Sequence, residues 1–260
     1  MKFGVGTSIK NAEIVAAAGF DYLEIFAADN LALSIPEETW RENLRRIKDA
    51  PLPVLAMASI LPATVQVVGE GVDMAANVSY MERLLDRAAA AGICKLVFGS
   101  NKSRTIPEGF DHAVAARQLE DYLLAIVGPA EDRGVQFVLE PLHAECTNTF
   151  TTIAASAAMV RKINRPGMAL LVDFYHFNKT DHDVLSLCWN ADLLRHSHVS
   201  GKSREIPGTV DCDYVPFMRI LRQAGYDHSM SIEATFPLTA DNVKVAHETL
   251  HKAWASAGQE

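Results

Sequence analysis

Four ionisable residues in the second half of the chain stand at or near the ends of short apolar runs. They are Glu140 in QFVLEP, Asp173 in ALLVDF, His198 in RHSHVS and Glu233 in SMSIEA. If these ends meet in the fold, three carboxylates are desolvated together and repel one another, and a bound divalent cation relieves both effects. Three carboxylates with one imidazole suit Mn²⁺, Mg²⁺ or Co²⁺ better than the thiolate-preferring Zn²⁺. The pattern therefore predicts one divalent metal ion, preferably Mn²⁺, held by Glu140, Asp173, His198 and Glu233.

Two further residues extend this site toward a substrate. His176 lies three residues after Asp173 in VDFYH, and Arg204 follows the next apolar run in the polar segment GKSREIPG. Ligand-contacting residues concentrate on such loops, although Arg204 could equally be a surface arginine. We predict that both residues bind substrate.

Other polar residues carry weaker signals. Glu24 ends the run YLEIF and either faces the same pocket or pairs with a neighbouring charge. Glu145 and Asn148 follow the fifth strand as possible substrate contacts of low specificity. Five other histidines are interpreted as loop or helix-surface residues: His143, His182, His196, His247 and His251.

The chain alternates β-rich runs with helical patterns from end to end. The predicted strands are Phe3–Thr7, Tyr22–Phe26, Val54–Ile60, Lys95–Gly99, Gln136–Leu142, Ala169–Phe174, His196–Ser200 and Met230–Ala234. The predicted helices are Asn11–Ala18, Pro36–Asp49, Met74–Ala91, Asp111–Arg133, Thr151–Ile163, Asp183–Leu194, Tyr214–Ala224 and Ala240–Ala255. Their apolar residues recur at spacings of three and four, as an amphipathic helix requires.

Glycines mark the joints between these elements. Gly19, Gly92, Gly134 and Gly225 each follow a helical pattern and precede a strand, where a left-handed helix end favours glycine. Eight β/α units close naturally into a (β/α)8 TIM barrel, with an open doubly wound sheet as the alternative. No linker divides the chain, so residues 1–260 are predicted to form a single barrel domain with a frayed tail at Ser256–Glu260.

The amino-acid composition excludes several classes of protein. The 260 residues are 49% hydrophobic, and the formal net charge is −8. The hydrophobic content argues against a disordered chain. The negative charge argues against a nucleic-acid partner, because proteins that bind nucleic acid usually present a basic face. No apolar run approaches the ~20 residues of a membrane span, and MKFGVGTS has neither the length nor the small-residue cleavage site expected of a signal peptide. The cysteines are widely spaced, as in reduced thiols, so a cytoplasmic location is expected.

The motifs between Glu140 and Phe236 resemble the xylose-isomerase-like barrel superfamily. The matching segments are VLEPLHAECTNTF, LLVDFYH, HSHVSGKSREIPG and SIEATF. They are most similar to the sugar or sugar-phosphate isomerase/epimerase branch, with hydroxypyruvate isomerase and tagatose/psicose 3-epimerases as relatives. The resemblance implies that Glu140, Asp173, His198 and Glu233 bind one divalent metal and that His176 and Arg204 hold the substrate.

One position departs from this resemblance. Ketose 3-epimerases generally have a substrate-binding glutamate six residues beyond the first metal glutamate, where this chain has Cys146, with Glu145 one residue earlier. The difference argues against a ketohexose substrate but does not affect the metal chemistry. The endonuclease IV branch gathers extra histidines for three zinc ions, which the third and fourth strands here do not provide.

The preferred hypothesis is an isomerase or epimerase of a small sugar, sugar phosphate or hydroxy-keto acid. A metal-chelated carbonyl would stabilise an enediolate while Glu140 and Glu233 transfer protons as general base and general acid. A keto-sugar or inosose dehydratase and a non-catalytic sugar-binding barrel are the alternatives. Lys202 and Arg204 are expected to decide between free and phosphorylated sugar, and a homo-oligomer is possible.

Overall fold

The computed structural model describes residues 1–180 and 183–259, and its centre is a closed barrel of eight parallel strands in sequential order. β8 pairs with β1, which closes the sheet. The strands are β1 Lys2–Gly6, β2 Tyr22–Phe26, β3 Val54–Ala58, β4 Lys95–Phe98, β5 Gln136–Leu139, β6 Met168–Asp173, β7 Leu194–Val199 and β8 Ser229–Ile232. The predicted (β/α)8 architecture is confirmed, and the open-sheet alternative is excluded.

Helices connect the strands around the outside. They are α1 Ala12–Ala17, α2 Ala27–Asn30, α3 Glu37–Lys48, α4 Met74–Ala90, α5 Asn101–Arg104, α6 His112–Glu131, α7 Ile153–Ile163, α8 Phe174–Lys179, α9 Val184–Trp189, α10 Val215–Gln223 and α11 Ala240–Ser256. The short helices α2, α5 and α8, which follow β2, β4 and β6, were not predicted. None of the helices in the described residues combines the length and the apolar character that crossing a bilayer requires.

Several boundaries differ from the prediction for local reasons. β3 ends at Ala58 because Ser59 takes a left-handed backbone conformation with φ of 53°. β5 ends at Leu139, and Pro141 has no N–H with which to extend the ladder. The predicted helix Asp183–Leu194 is shorter, since α9 ends at Trp189 and Asn190, with φ of −115° and ψ of 15°, leaves the helical conformation.

The four glycine joints are confirmed. Gly19, Gly92, Gly134 and Gly225 have φ values of 95°, 75°, 68° and 75°. At Gly92, for example, the following amide of Ile93 donates back to the Ala88 carbonyl at 2.9 Å, as in a Schellman helix end. Each joint turns the chain from a helix into the next strand within a few residues.

Strand alternation divides the buried side chains between two environments. Outward-facing residues pack beneath the helices in the main core, whereas a small apolar cluster forms inside the barrel: Ala58, Val97, Val138, Ala169 and Leu171. The other side of the barrel interior is polar, and its buried side chains are Glu24, His196, His198, Ser229 and Ser231. This division leaves the carboxyl ends of β5 to β8 as the place where charged side chains meet.

Candidate active site

The period of two along each strand brings the four predicted metal ligands inside the barrel. Asp173 has the same parity as Leu171 in β6, and Glu140 follows β5 with the same parity as Val138. His198 and Glu233 share the inner face with His196 and Ser231 by the same rule. One ligand atom from each of Glu140, Asp173, His198 and Glu233 lies within 4.8 Å of the others.

His198 lies at the centre of this group. Its Nδ1 atom is 3.4 Å from Glu140 Oε1, 3.4 Å from Glu233 Oε2 and 4.0 Å from Asp173 Oδ2. Neither His198 Nδ1 nor Glu140 Oε1 has a hydrogen-bond partner, although both atoms are buried. Buried polar atoms normally have hydrogen-bond partners. Two buried ligand atoms that face each other without such partners are the arrangement that a bound metal ion would complete. The residues present therefore fit a divalent cation.

The two glutamates have different electrostatic surroundings in the metal-free protein. Burial raises the pKa of Glu140 to about 7, and the neighbouring carboxylates of Glu233 and Asp173 act in the same direction. Burial also raises the pKa of Glu233, but the positive charges of His198 and Arg204 outweigh it and hold that pKa below its usual range. Pairs of carboxyl groups whose pKa values are driven apart are typical of acid–base sites.

Gly99 creates the space that Glu140 occupies. It directly follows β4, and a Cβ atom built there would lie 2.0 Å from Glu140 Oε2. This distance is far below any real contact, so only glycine lets the carboxylate lie where it does. Gly99 was not among the predicted site residues, although its position at the end of a barrel strand was the available signal.

Arg204 reaches across the mouth of the barrel from the loop after β7. Its Nη1 lies 2.7 Å from Asp173 Oδ2 and 2.7 Å from Glu233 Oε2, and its guanidinium stacks 4.4 Å from the Tyr175 ring centre. The residue adopts a left-handed backbone with φ of 67°, fixed by the amide of Thr235, which donates to its carbonyl. Such strain is concentrated at functional sites, which favours a ligand-contacting role over a surface arginine.

His176 lies beside Arg204 on helix α8. Arg204 Nη2 is 2.9 Å from His176 Nε2, and His176 Nδ1 is 2.6 Å from His143 Nδ1. If Arg204 donates to Nε2, the proton on Nδ1 is free to be donated to His143. Burial lowers the pKa of His176 to about 4, and the Arg204 charge contributes, so the ring is neutral at pH 7.

These side chains line a cavity of about 510 Å³ at the barrel mouth. Glu140, Glu233 and Arg204 form its charged end beside neutral His176. The rest of the lining comprises Ala58, Ser59, Val97, Gly99, Ser100, Asn101, Leu142, His143, Glu145, Cys146 and Tyr175. Lys202 does not line this cavity but a separate groove with Phe174 and Phe217. The lysine that was expected to distinguish phosphorylated sugars therefore lies elsewhere.

Three of the weaker predictions need correction. His196 is fully buried inside the barrel, because it shares its strand face with His198 two residues later. His143 lies in a loop, as predicted, but it is buried at the site, where Cys146 Sγ lies 3.4 Å from its Nε2. Asn148 is not available to a substrate, since its side-chain amide accepts a hydrogen bond from the Ile106 N–H and donates one to the Ile106 carbonyl.

The structure also places the remaining glutamates, histidines and cysteines that the sequence singled out. Glu24 pairs with neighbouring groups, namely His196 and His198, which was one of its two predicted alternatives. Glu145 is exposed at the edge of the cavity. His247 and His251 lie on α11 as expected, His182 lies outside the described residues, and the four cysteines are free thiols.

The sequence model of the xylose isomerase-like TIM barrel family matches residues 12–254. The chain belongs to this family. Among relatives of this xylose isomerase-like barrel, the L-ribulose 3-epimerase of Methylomonas sp. (strain DH-1) is 26% identical over 224 residues, covering 84% of this chain and 75% of that protein. The ketose 3-epimerase of Arthrobacter globiformis is 27% identical over 164 residues, covering 59% and 55%. A solved L-ribulose 3-epimerase superposes with a TM-score of 0.82 at 18% identity, covering 98% of this chain and 95% of that one.

Proposed function

We propose that this protein is a divalent-metal-dependent epimerase of a small keto sugar. The observation that carries the proposal is the convergence of Glu140 and Glu233, from β5 and β8, on the orphaned Nδ1 of His198, each at 3.4 Å. The names of the relatives support it, because the ketose and L-ribulose 3-epimerases invert a carbon of a ketose.

The metal ion would be held by Glu140, Asp173, His198 and Glu233, with Mn²⁺ the preferred ion. When bound, it would supply Lewis acidity to a carbonyl oxygen and its adjacent hydroxyl, which acidifies the neighbouring C–H. Glu140 or Glu233 would take that proton as general base and leave an enediolate. The other glutamate would return a proton on the opposite face, which inverts the carbon.

Arg204 and His176 would hold the substrate in the correct position. The guanidinium has several donors in a rigid fork and already lies at the charged end of the cavity. Neutral His176 would orient Arg204 through the 2.9 Å contact, and it would bind a substrate hydroxyl by exchanging its contact with Arg204 or His143 for that hydroxyl. Tyr175 stacks on Arg204 and restricts its movement.

We propose an unphosphorylated substrate, because Lys202 lines the separate groove and two carboxylates, Glu140 and Glu233, lie at the charged end of the cavity. Lys202→Ala is therefore expected to leave kcat/KM unchanged for free ketoses and their phosphates alike. A selective loss for the phosphorylated sugars would contradict this assignment.

Deuterium exchange tests the reaction itself. The protein is stripped with a chelator, reloaded with Mn²⁺ and incubated in deuterated water with pentuloses, hexuloses and their phosphates. We expect deuterium at the carbon beside the carbonyl and a new epimer, both dependent on the metal. Net loss of water would indicate a dehydratase, and metal-dependent binding without exchange would indicate a sugar-binding barrel.

A further inference from the structure

A buried carboxylate beneath the metal site contacts two histidines at once. Glu24 in β2 is 1% exposed, and its Oε2 lies 2.8 Å from His196 Nε2. His198 Nε2 lies 3.1 Å and 3.3 Å from the two oxygens of the same carboxylate.

This contact determines which nitrogen of His198 can bind a metal. A carboxylate accepts hydrogen bonds, so Nε2 of His198 carries a proton and donates it to Glu24. Nδ1 then faces Glu140 and Glu233, where it has no hydrogen-bond partner. When both nitrogens are placed in this way, the ring cannot rotate without losing the contact with Glu24.

A second set of contacts fixes Glu24 itself. His196 Nδ1 lies 2.8 Å from Ser229 Oγ, which also accepts a hydrogen bond from Lys95 Nζ at 2.8 Å. Lys95 donates to the Arg195 carbonyl as well, at 2.6 Å. The chain of contacts therefore runs from His198 through Glu24 and His196 to the opposite end of the barrel.

We propose that Glu24 is a positioning residue that fixes His198 with Nδ1 toward the metal ion and thereby raises the affinity of the site for that ion. The inference rests on the metal site of the proposed function. Carboxylates that hold the far nitrogen of a metal-binding histidine orient the ring and increase its basicity, and their loss typically weakens binding 10–100-fold. Glu24 touches neither substrate nor reacting atoms.

The test measures metal affinity rather than activity. Glu24→Gln keeps the side-chain volume but loses the charge and one of the two acceptor oxygens. We expect Mn²⁺ and Co²⁺ binding, measured by competition with a chromophoric chelator, to weaken by about 10–100-fold. Glu24→Asp keeps the charge but is too short to reach both histidines. It is expected to weaken metal binding, although less than Glu24→Gln because the charge remains. It replaces Glu24→Gln in the test if that variant does not fold.

Ser197→Ala is the matched control. Ser197 lies between the two histidines in β7, is fully buried, and donates a hydrogen bond to the Val172 carbonyl at 2.9 Å. Its loss removes a buried hydrogen bond from the same strand without touching Glu24. We expect Ser197→Ala to lower thermal stability while metal affinity stays at the wild-type value.

Two outcomes overturn the inference. One is wild-type metal affinity in folded Glu24→Gln or Glu24→Asp, and the other is an equal loss of affinity in Ser197→Ala. Asp173→Asn separates this failure from failure of the proposed function. If Asp173→Asn loses metal while Glu24→Gln does not, only the proposed role of Glu24 is wrong. Tight metal binding by Asp173→Asn would instead contradict the proposed metal site.

Discussion

At the scale of single residues, the site depends on how two similar carboxylates are held. Glu140 is buried behind Gly99 and lacks a partner on Oε1, whereas Glu233 is bound by Arg204. Their surroundings therefore drive the pKa of Glu140 up and that of Glu233 down. A reaction that removes a proton on one face and returns it on the other needs two such groups in different environments.

Glu140→Gln and Glu233→Gln should each retain the fold and lower epimerisation by ~10²–10⁴-fold, as expected for loss of a general acid or base. Both assays require saturating Mn²⁺, because a neutral amide is also a poorer metal ligand. With one glutamate removed, the other can still exchange the proton on its own face, so deuterium should enter one epimer without forming the other. Normal turnover in either variant would show that this glutamate is a ligand only.

Gly99→Ala tests the space reserved for Glu140. An alanine Cβ would lie 2.0 Å from Glu140 Oε2, so the carboxylate must move. We expect weaker metal binding and a fall in kcat of at least about tenfold, since small displacements of reacting groups are costly. Gly128→Ala, which introduces a methyl group in helix α6 where the Cβ would meet only Arg165 Nη2, at 3.9 Å, is the control. Unchanged metal binding in Gly99→Ala would contradict the packing described here.

At the scale of elements, one residue links the metal site to a helix. Asp173 is the last residue of β6 and the N-cap of α8, where its Oδ1 accepts a hydrogen bond from the Tyr175 amide at 2.6 Å. Its Oδ2 faces Arg204 and the proposed ion. The strand end, the helix start and the ligand are therefore positioned by a single side chain, and α8 places His176 one turn further on.

Comparing Asp173→Asn with Asp173→Ala separates these two roles. Both variants lose a charged ligand and should bind metal poorly. Asparagine still caps the helix, whereas alanine does not, so Asp173→Ala should unfold more easily by about 1 kcal/mol. The measurement is denaturant unfolding of both metal-free proteins. Equal stabilities would show that the cap contributes nothing.

At the scale of the whole molecule, the metal-free barrel carries a destabilising group at its mouth. The pKa of Glu140 is about 7 in the folded protein and near its ordinary value when unfolded. A group with a raised folded pKa contributes stability that is fully present at low pH and is lost as pH rises through the folded value. His176 and His196, whose pKa values burial lowers to about 4, act in the opposite direction, so the Glu140 contribution must be isolated by difference.

Metal-free Glu140→Gln should therefore have a higher Tm than the wild type at pH 8, and this advantage should shrink toward pH 5. Adding saturating Mn²⁺ should reverse the order, because the ion stabilises the wild-type carboxylate and binds the amide poorly. The check is thermal unfolding across this pH range with and without the metal. A difference between the two proteins that does not change with pH would contradict the raised pKa.

Local sequence signals predicted the architecture, which the structure confirms, and the proposed ligand set. Strand–helix alternation with glycine joints predicted eight β/α units, because both signals depend on neighbours along the chain. Glu140, Asp173, His198 and Glu233 could be predicted together because strand parity and the end of each strand are local properties, and a barrel brings all strand ends to one face.

The tertiary structure decided which side chains meet across the barrel. Glu24 and His198 are 174 residues apart in the chain, and nothing local to YLEIF or RHSHVS shows that they touch. The space that Gly99 leaves for Glu140, the burial of His143 and His196, and the separation of Lys202 from the cavity have the same origin. Such contacts depend on the register and tilt with which distant strands close the barrel, and no short segment of sequence contains that information.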